Sequence, residues 1–229
     1  YECNQEQKRP PGDGDGSTLP KAEGKNPKGW HLGDTSARYE SGGRGPGTIN
    51  SPDIARKDPG GRSYGIYQMS VKRGTMADYL KYTKYKELKH LEPDTLEFNR
   101  KWREIAKRDK EGFAREQHEY IKKKYYNTLQ KRLINKGIDL RGRGAAVQDM
   151  IWSTSVQYGP YRNKTRKNPE NPVVRALTRK NISRMSDAAI INAVQKNKMD
   201  NVINDFNKSF TKQIKYRIND ESKRLLKLT

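Results

Sequence analysis

The stretch "RGAAVQDMIWSTSVQYG", residues 143–159, decides the fold class: it is the most apolar helical run in the chain and reads as a central buried helix. Helical periods continue outward from it in both directions. Met76, Tyr79 and Leu80 share a face, as do Phe98, Trp102, Ile105 and Ala106. Phe113, Gln117, Tyr120 and Ile121 repeat the spacing, followed by Tyr126, Leu129 and Leu133. Further helices are expected near 172–180 and 186–197, the latter capped by Ser186. A last one runs through Val202, Phe206, Phe210 and Ile214. Trp152 reads as core. Only "SYGIYQMS", residues 63–70, alternates enough for a short strand. The expected fold is mostly α: a helical domain with one small irregular β region toward its N-terminal side.

Composition sets further limits. The chain has 229 residues, 31% of them apolar, with 13 Tyr and 3 Trp to add bulk, which suits one modest core. Residues 1–28 read as a flexible, basic, Pro- and Gly-rich linker or tail, and residues 29–229 as one domain. No apolar run approaches the roughly 20 residues of a membrane span. A signal peptide is lacking and the first residue is Tyr, so a piece of a longer protein is expected. The lone cysteine, Cys3, excludes an internal disulfide framework. The formal net charge of +21 favours polyanionic partners: nucleic acid, anionic lipid surfaces or a bacterial wall. The basic residues are spread along the chain, and no zinc finger, basic zipper or RNA-recognition motif accompanies them.

One short stretch raises a chemical question. In "ARYESGGRGPGTIN", residues 37–50, Glu40 ends a short helix that Asp34 can cap, and Gly42, Gly43, Gly45 and Gly47 follow it. Glycine is kept where the backbone turns tightly or approaches something closely. At the last turn of a helix the dipole disfavours a second negative charge, and Tyr39, Tyr64 and Tyr67 can supply apolar walls. That setting suits a general acid. A second carboxylate, Asp58 in "RKDPGGRSYG", lies among Arg56, Lys57 and Arg62, which favour its ionised form. Two carboxyls in opposed environments are the acid and base of glycoside hydrolysis. Spacing alone leaves the other reading open, with Glu40 on the surface and Asp58 in the turn before Pro59.

The blocks "ARYESGGRGPGTI", "DPGGRSYGIYQMS", "GFAREQHEYIKKKYY" and "IWSTSVQYGP" resemble lysozyme-like, chitosanase-like hydrolase domains of VgrG-related type VI secretion proteins. Phage tail-associated peptidoglycan hydrolases are similar. The resemblance spans about residues 29–200 and implies an α+β lysozyme-like domain over 29–229. Glu40 would be the general acid and Asp58 the second carboxylate. The segment between them is a few residues longer than in the family, which makes Asp53 a competitor. Distance to "GGRSYGIYQ" favours Asp58. Gly65, Ile66, Tyr67 and Gln68 correspond to a cleft-lining G-x-x-Q segment, in which Gln68 can hydrogen-bond sugar substituents and Tyr67 can stack. Gln157 and Tyr158 stand where a cleft wall or a simple helix stop belongs.

What the resemblance implies is a peptidoglycan glycosidase cutting β-1,4 bonds between the amino sugars. It would be secreted and act in the periplasm or wall of a target bacterium. A cognate immunity protein and a secretion spike or carrier are the implied protein partners, beside non-specific polyanion binding. A phage lysin or a chitosanase would share the carboxylate chemistry. A basic nucleic-acid or wall-binding module is the non-enzymatic alternative. No cofactor or metal is expected: His118 and Glu119 begin a zinc-protease pattern, but Lys122 replaces its second histidine.

The composition of the first residues offers too little apolar surface to offset ordering. Deleting residues 1–25 is therefore expected to leave melting temperature and specific activity unchanged. Calorimetry on the truncated chain checks this, and a large fall in melting temperature would show that the tail packs on the domain.

Overall fold

The stretch 143–159 forms helix α7, Ala145–Tyr158, and all but two of its 14 residues are buried. It is buried on every side, the pattern of a helix surrounded by others. The computed structural model describes residues 27–162 and 167–229. Most of the expected tail, including Cys3, lies outside the described residues. Those described fall into two compact units, one of residues up to 36 with 125–229, the other of 37–124. Each is described separately.

In the first unit α7 packs against α6 (Asn127–Asn135), α8 (Pro172–Leu177), α9 (Asp187–Asp205) and α10 (Thr211–Leu226). Leu129, Leu133, Val147, Met150, Ile151, Val173, Ile190 and Val194 close the core between them. Helix starts follow local chemistry: Ser186 accepts from Ala189 N at 3.1 Å, and Asn171 from Val173 N at 2.9 Å. The expected last helix is two. Its Val202 belongs to α9, which continues to Asp205. The chain then breaks at Phe206, where Asn207 accepts from Ser209 N at 3.1 Å, and α10 follows.

Buried charge ties this unit together. Arg143, 5% exposed, donates to the carbonyls of Ile182 and Met185 and lies 3.2 Å from the Asp187 carboxylate. Asp187 also accepts from Gly144 N at 3.0 Å, fastening the α9 start to the α7 start. Asp149, 0% exposed, accepts from Gly33 N, Thr35 N and Thr35 Oγ1, so α7 holds the segment 33–35. Burial pushes the Asp149 carboxyl up and these hydrogen bonds oppose it. A Cβ on Gly33 would meet the Trp152 indole at 2.7 Å. Trp152 is core, as expected.

The second unit holds α1 (Ala37–Glu40), α2 (Pro52–Lys57), β1 (Ser63–Tyr64), β2 (Met69–Ser70), α3 (Thr75–Tyr82), α4 (Leu96–Arg108) and α5 (Lys110–Ile121). A π-helical segment, Lys122–Tyr126, follows α5. "SYGIYQMS" is a hairpin: β1 and β2 are antiparallel, with Ser63 opposite Ser70 and Tyr64 opposite Met69. Helix α2 falls within a stretch whose Gly, Pro and Ser content reads as loop; Ser51 caps it and Pro52 opens it. Asp34 does not cap α1 but accepts from His31 N at 2.8 Å in an earlier turn.

An aromatic cluster forms the core here. Trp102 lies 4.6 Å from Phe113, 5.3 Å from Tyr64 and 5.9 Å from Tyr79, ring to ring. These edge-on contacts are the favoured geometry for aromatic pairs. The Glu116 carboxylate accepts from Tyr79 at 2.6 Å, Thr83 at 2.5 Å and Lys84 N at 3.0 Å, linking α5 to the end of α3.

Lys198 and Glu221, both 0% exposed, face each other in the first unit at 3.9 Å, with Arg217 Nε at 3.8 Å from Glu221. Removing one partner of a buried pair typically costs about 3–5 kcal/mol. Lys198→Met and Glu221→Gln are each expected to lose about 3 kcal/mol in urea unfolding. The double variant should lose clearly less than their sum. Additive losses would show that the two charges do not interact.

Candidate active site

Glu40 closes α1 and is 9% exposed. The glycines after it have two separable reasons. Gly42 lies in the left-handed region, φ 54°, and a Cβ there would meet Arg44 Nη1 at 2.9 Å. Arg44 folds back over this turn and donates to the Glu40 carbonyl at 3.0 Å, while burial lowers its own basicity. Gly43, φ 74°, has nothing near its absent Cβ and is needed for backbone direction alone. Further on, a Cβ at Gly47 would lie 2.7 Å from the Ala106 methyl, so the loop rests directly on α4.

Two buried side chains fix that loop. The Pro46 carbonyl accepts from Trp102 Nε1 and from Gln117 Nε2, each at 3.0 Å. The other end of the Gln117 carboxamide accepts from Ile66 N at 2.9 Å. Gly65 N donates to the Thr48 carbonyl at 2.7 Å. The glycine loop and the hairpin turn are thus joined through one side chain that is 0% exposed. Gly65 allows this: its φ is 77°, and a Cβ would stand 2.4 Å from Gln117 Oε1.

The sequence-predicted residues separate into distinct settings. Tyr67, in the hairpin turn, shares a 2.8 Å hydrogen bond with His118 Nδ1. Burial first, and then the negative charge of Glu40, raise its pKa well above that of an ordinary tyrosine, so its hydroxyl stays protonated. The structure therefore brings Glu40, Tyr67 and His118 into one neighbourhood. Gln68, at φ 50°, donates its amide to the Gly65 carbonyl at 3.1 Å and so steadies its own strained turn. Tyr64 is not a surface contact. It is 0% exposed, its hydroxyl donates to Asn99 at 2.5 Å and accepts from Asp94 N at 2.9 Å, and burial pushes its pKa up to about 12. No ring face is left for a ligand.

Asp58 ends α2, accepts from Gly60 N at 2.6 Å and lies 3.8 Å from the Arg73 guanidinium; its side chain is 40% exposed. Asp53 stands in the first turn of α2, three-quarters exposed and paired with Arg56. In the other unit Tyr158 is 4% exposed, with the Phe206 ring centroid 5.1 Å away and Lys198 Nζ at 5.8 Å over its ring. It is a core residue. Gln157 beside it is half-buried. His118 and Gln117 were not foreseen as site residues. The signal for Gln117 was a carboxamide on the apolar face of Phe113, Tyr120 and Ile121.

Among the described residues no group of His, Cys, Asp and Glu is placed to hold a metal ion, and no helix is long and apolar enough to cross a membrane.

The model of the family "Type VI secretion system spike protein VgrG3-like, C-terminal" matches residues 32–224. The chain belongs to this family. A curated relative, type VI secretion system spike protein VgrG3 of Vibrio cholerae serotype O1 (strain ATCC 39315 / El Tor Inaba N16961), is 41% identical over 202 residues. That alignment covers 87% of this chain and 19% of the relative, so the chain spans about a fifth of that protein's length. The matched span of the VgrG3-like family includes Glu40, Asp58, the hairpin turn and Gln117. Membership makes this a protein of type VI secretion, as the resemblance of its motifs suggested.

Gly65 and Gly43 share the left-handed backbone but not the crowding. Gly43→Ala should cost only the left-handed penalty, about 1–2 kcal/mol. Gly65→Ala should cost more, because its methyl must also displace the Gln117 carboxamide. Denaturant midpoints of the two variants test this, and equal losses would show that the Gln117 contact is soft.

Proposed function

We propose that this chain is a glycoside hydrolase of lysozyme-like fold that cuts the β-1,4 bonds between the two amino sugars of peptidoglycan. The observation that carries the reading is Glu40: a carboxyl 9% exposed at the C-terminal end of a helix, beside a tyrosine that senses its charge. A carboxyl largely shielded from water at a helix end is placed as a general acid must be. Glu40 donates a proton to the glycosidic oxygen. Asp58 is the second carboxylate, activating water or stabilising the oxocarbenium-like transition state. What supports Asp58 over Asp53 is its place at the head of the hairpin, on the turn of Gly60, against Asp53's exposed ion pair on α2. Tyr67 and Gln68 contact the sugar.

Family membership favours delivery by a secretion spike over a phage tail. In that setting the target is the wall of another bacterium, and the producing cell needs an immunity protein. The +21 charge suits an anionic wall and opposes cationic chitosan.

Digestion of purified peptidoglycan, with mass analysis of the fragments, tests the chemistry. New reducing ends are expected. Anhydro ends would indicate a lytic transglycosylase, free peptides an amidase, and no release a binding module. Glu40→Gln should lose about 10²–10⁴ in rate with its melting temperature unchanged. Asp58→Asn should be strongly impaired and Asp53→Asn nearly unaffected. The reverse order for the two aspartates would transfer the second role to Asp53.

A further inference from the structure

The glycine loop has a second face. Beside Gly45–Thr48 lies a groove of about 400 Å³ whose other wall is Arg103, Ala106, Lys107 and Lys110. Arg103 and Lys107 are one helical turn apart on α4, about 6 Å along the axis, and so point to the same side. Lys110 opens α5. All three are exposed, and none makes an ion pair or a side-chain hydrogen bond among the described residues. Their neighbours differ: Arg100 and Lys101 lie against Glu104, and Arg108 is bound to Glu87. The cations facing the groove are thus the ones left without carboxylates.

The floor is shaped for close approach. Pro46 is buried, its carbonyl is taken up by Trp102 and Gln117, and Gly47 brings the backbone onto Ala106. An open, anchored floor beside three cations that lack carboxylate partners is a receptor for a small anionic group. Eight residues line the groove, against roughly 20–30 a side in a standard protein–protein interface. Its size therefore suits a short branch better than a folded partner. The loop that forms it follows Glu40 in the chain, so the candidate acid and the groove lie on one continuous segment.

We infer that the groove of Gly45–Thr48, Arg103, Lys107 and Lys110 binds the carboxylate-bearing peptide branches of the wall polymer. The inference rests on the glycosidase reading for its substrate class. Arg103 takes a carboxylate in a two-pronged grip, while Lys107 and Lys110 act as point charges. The groove thereby makes peptide-bearing strands better substrates than bare glycan.

The test uses the full chain and a soluble alanyl-γ-glutamyl-diaminopimelate tripeptide, followed by amide NMR. Shifts are expected at Gly45, Gly47 and Thr48. Affinity should fall roughly tenfold in Arg103→Gln/Lys107→Gln/Lys110→Gln, as expected for three partly exposed charge contacts. It should persist in Lys107→Arg/Lys110→Arg, which keeps all three charges and the Arg103 fork, and vanish for a fully amidated tripeptide. In digestion, KM should be lower for peptide-bearing strands than for strands stripped of peptide, and the glutamine variant should lose that preference. Unmoved groove amides, or affinity indifferent to either the substitutions or amidation, would overturn the inference. So would movement of these amides by an acidic protein but not by the tripeptide. Tripeptide binding without any cleavage would support the groove and sink the glycosidase reading; cleavage without peptide preference would sink the groove alone.

Discussion

One buried carboxamide holds two loops of the second unit together. Gln117 holds the Pro46 carbonyl with one end and the Ile66 amide with the other, and it is 0% exposed. Irregular loops carry backbone groups that cannot be left unpaired once covered. Gln117 satisfies one group from each of two loops at once, so neither can move without orphaning a polar atom. The Trp102 indole adds a second donor to Pro46 from the centre of the aromatic cluster. The glycine loop after Glu40 and the hairpin turn are thereby anchored to α4 and α5, beside the bonds the loops make themselves.

Much of the fold could be read from the sequence because its signals were apolar and periodic. The face of Phe98, Trp102 and Ile105 and the run around Trp152 are buried as their spacing requires. What escaped was built from polar residues. The extension of α9 beyond 197 puts Lys198 on the same face as Val194 and Val202, and a lysine in that position disguises the stripe. Helix α2 buries none of its residues, so no periodicity could reveal it; only Ser51 followed by Pro52 marks its start.

The candidate site was legible in the same uneven way. Glu40 at a helix end before a glycine turn follows from local rules. The burial of Tyr64 does not, since a tyrosine on a short strand serves a cleft or a core equally well until Asn99 and Asp94 are seen to occupy its hydroxyl. The roles of Gln117 and His118 depend on loops more than 50 residues and about 70 residues away in sequence, and no local pattern encodes such pairings.

Helix α2 has a practical meaning. It is closed at one end by the Ser51 hydroxyl and at the other by the Asp58 amide, and nothing in between is buried. Asp58 takes its side-chain anchor from Gly60, downstream of the helix. The segment is a self-contained spacer, and the aspartate's anchor lies outside it. It is accordingly the natural place to attach a fluorophore or an affinity handle, because the solvent-facing turn of Asp53 and Arg56 carries no packing that a label would disturb.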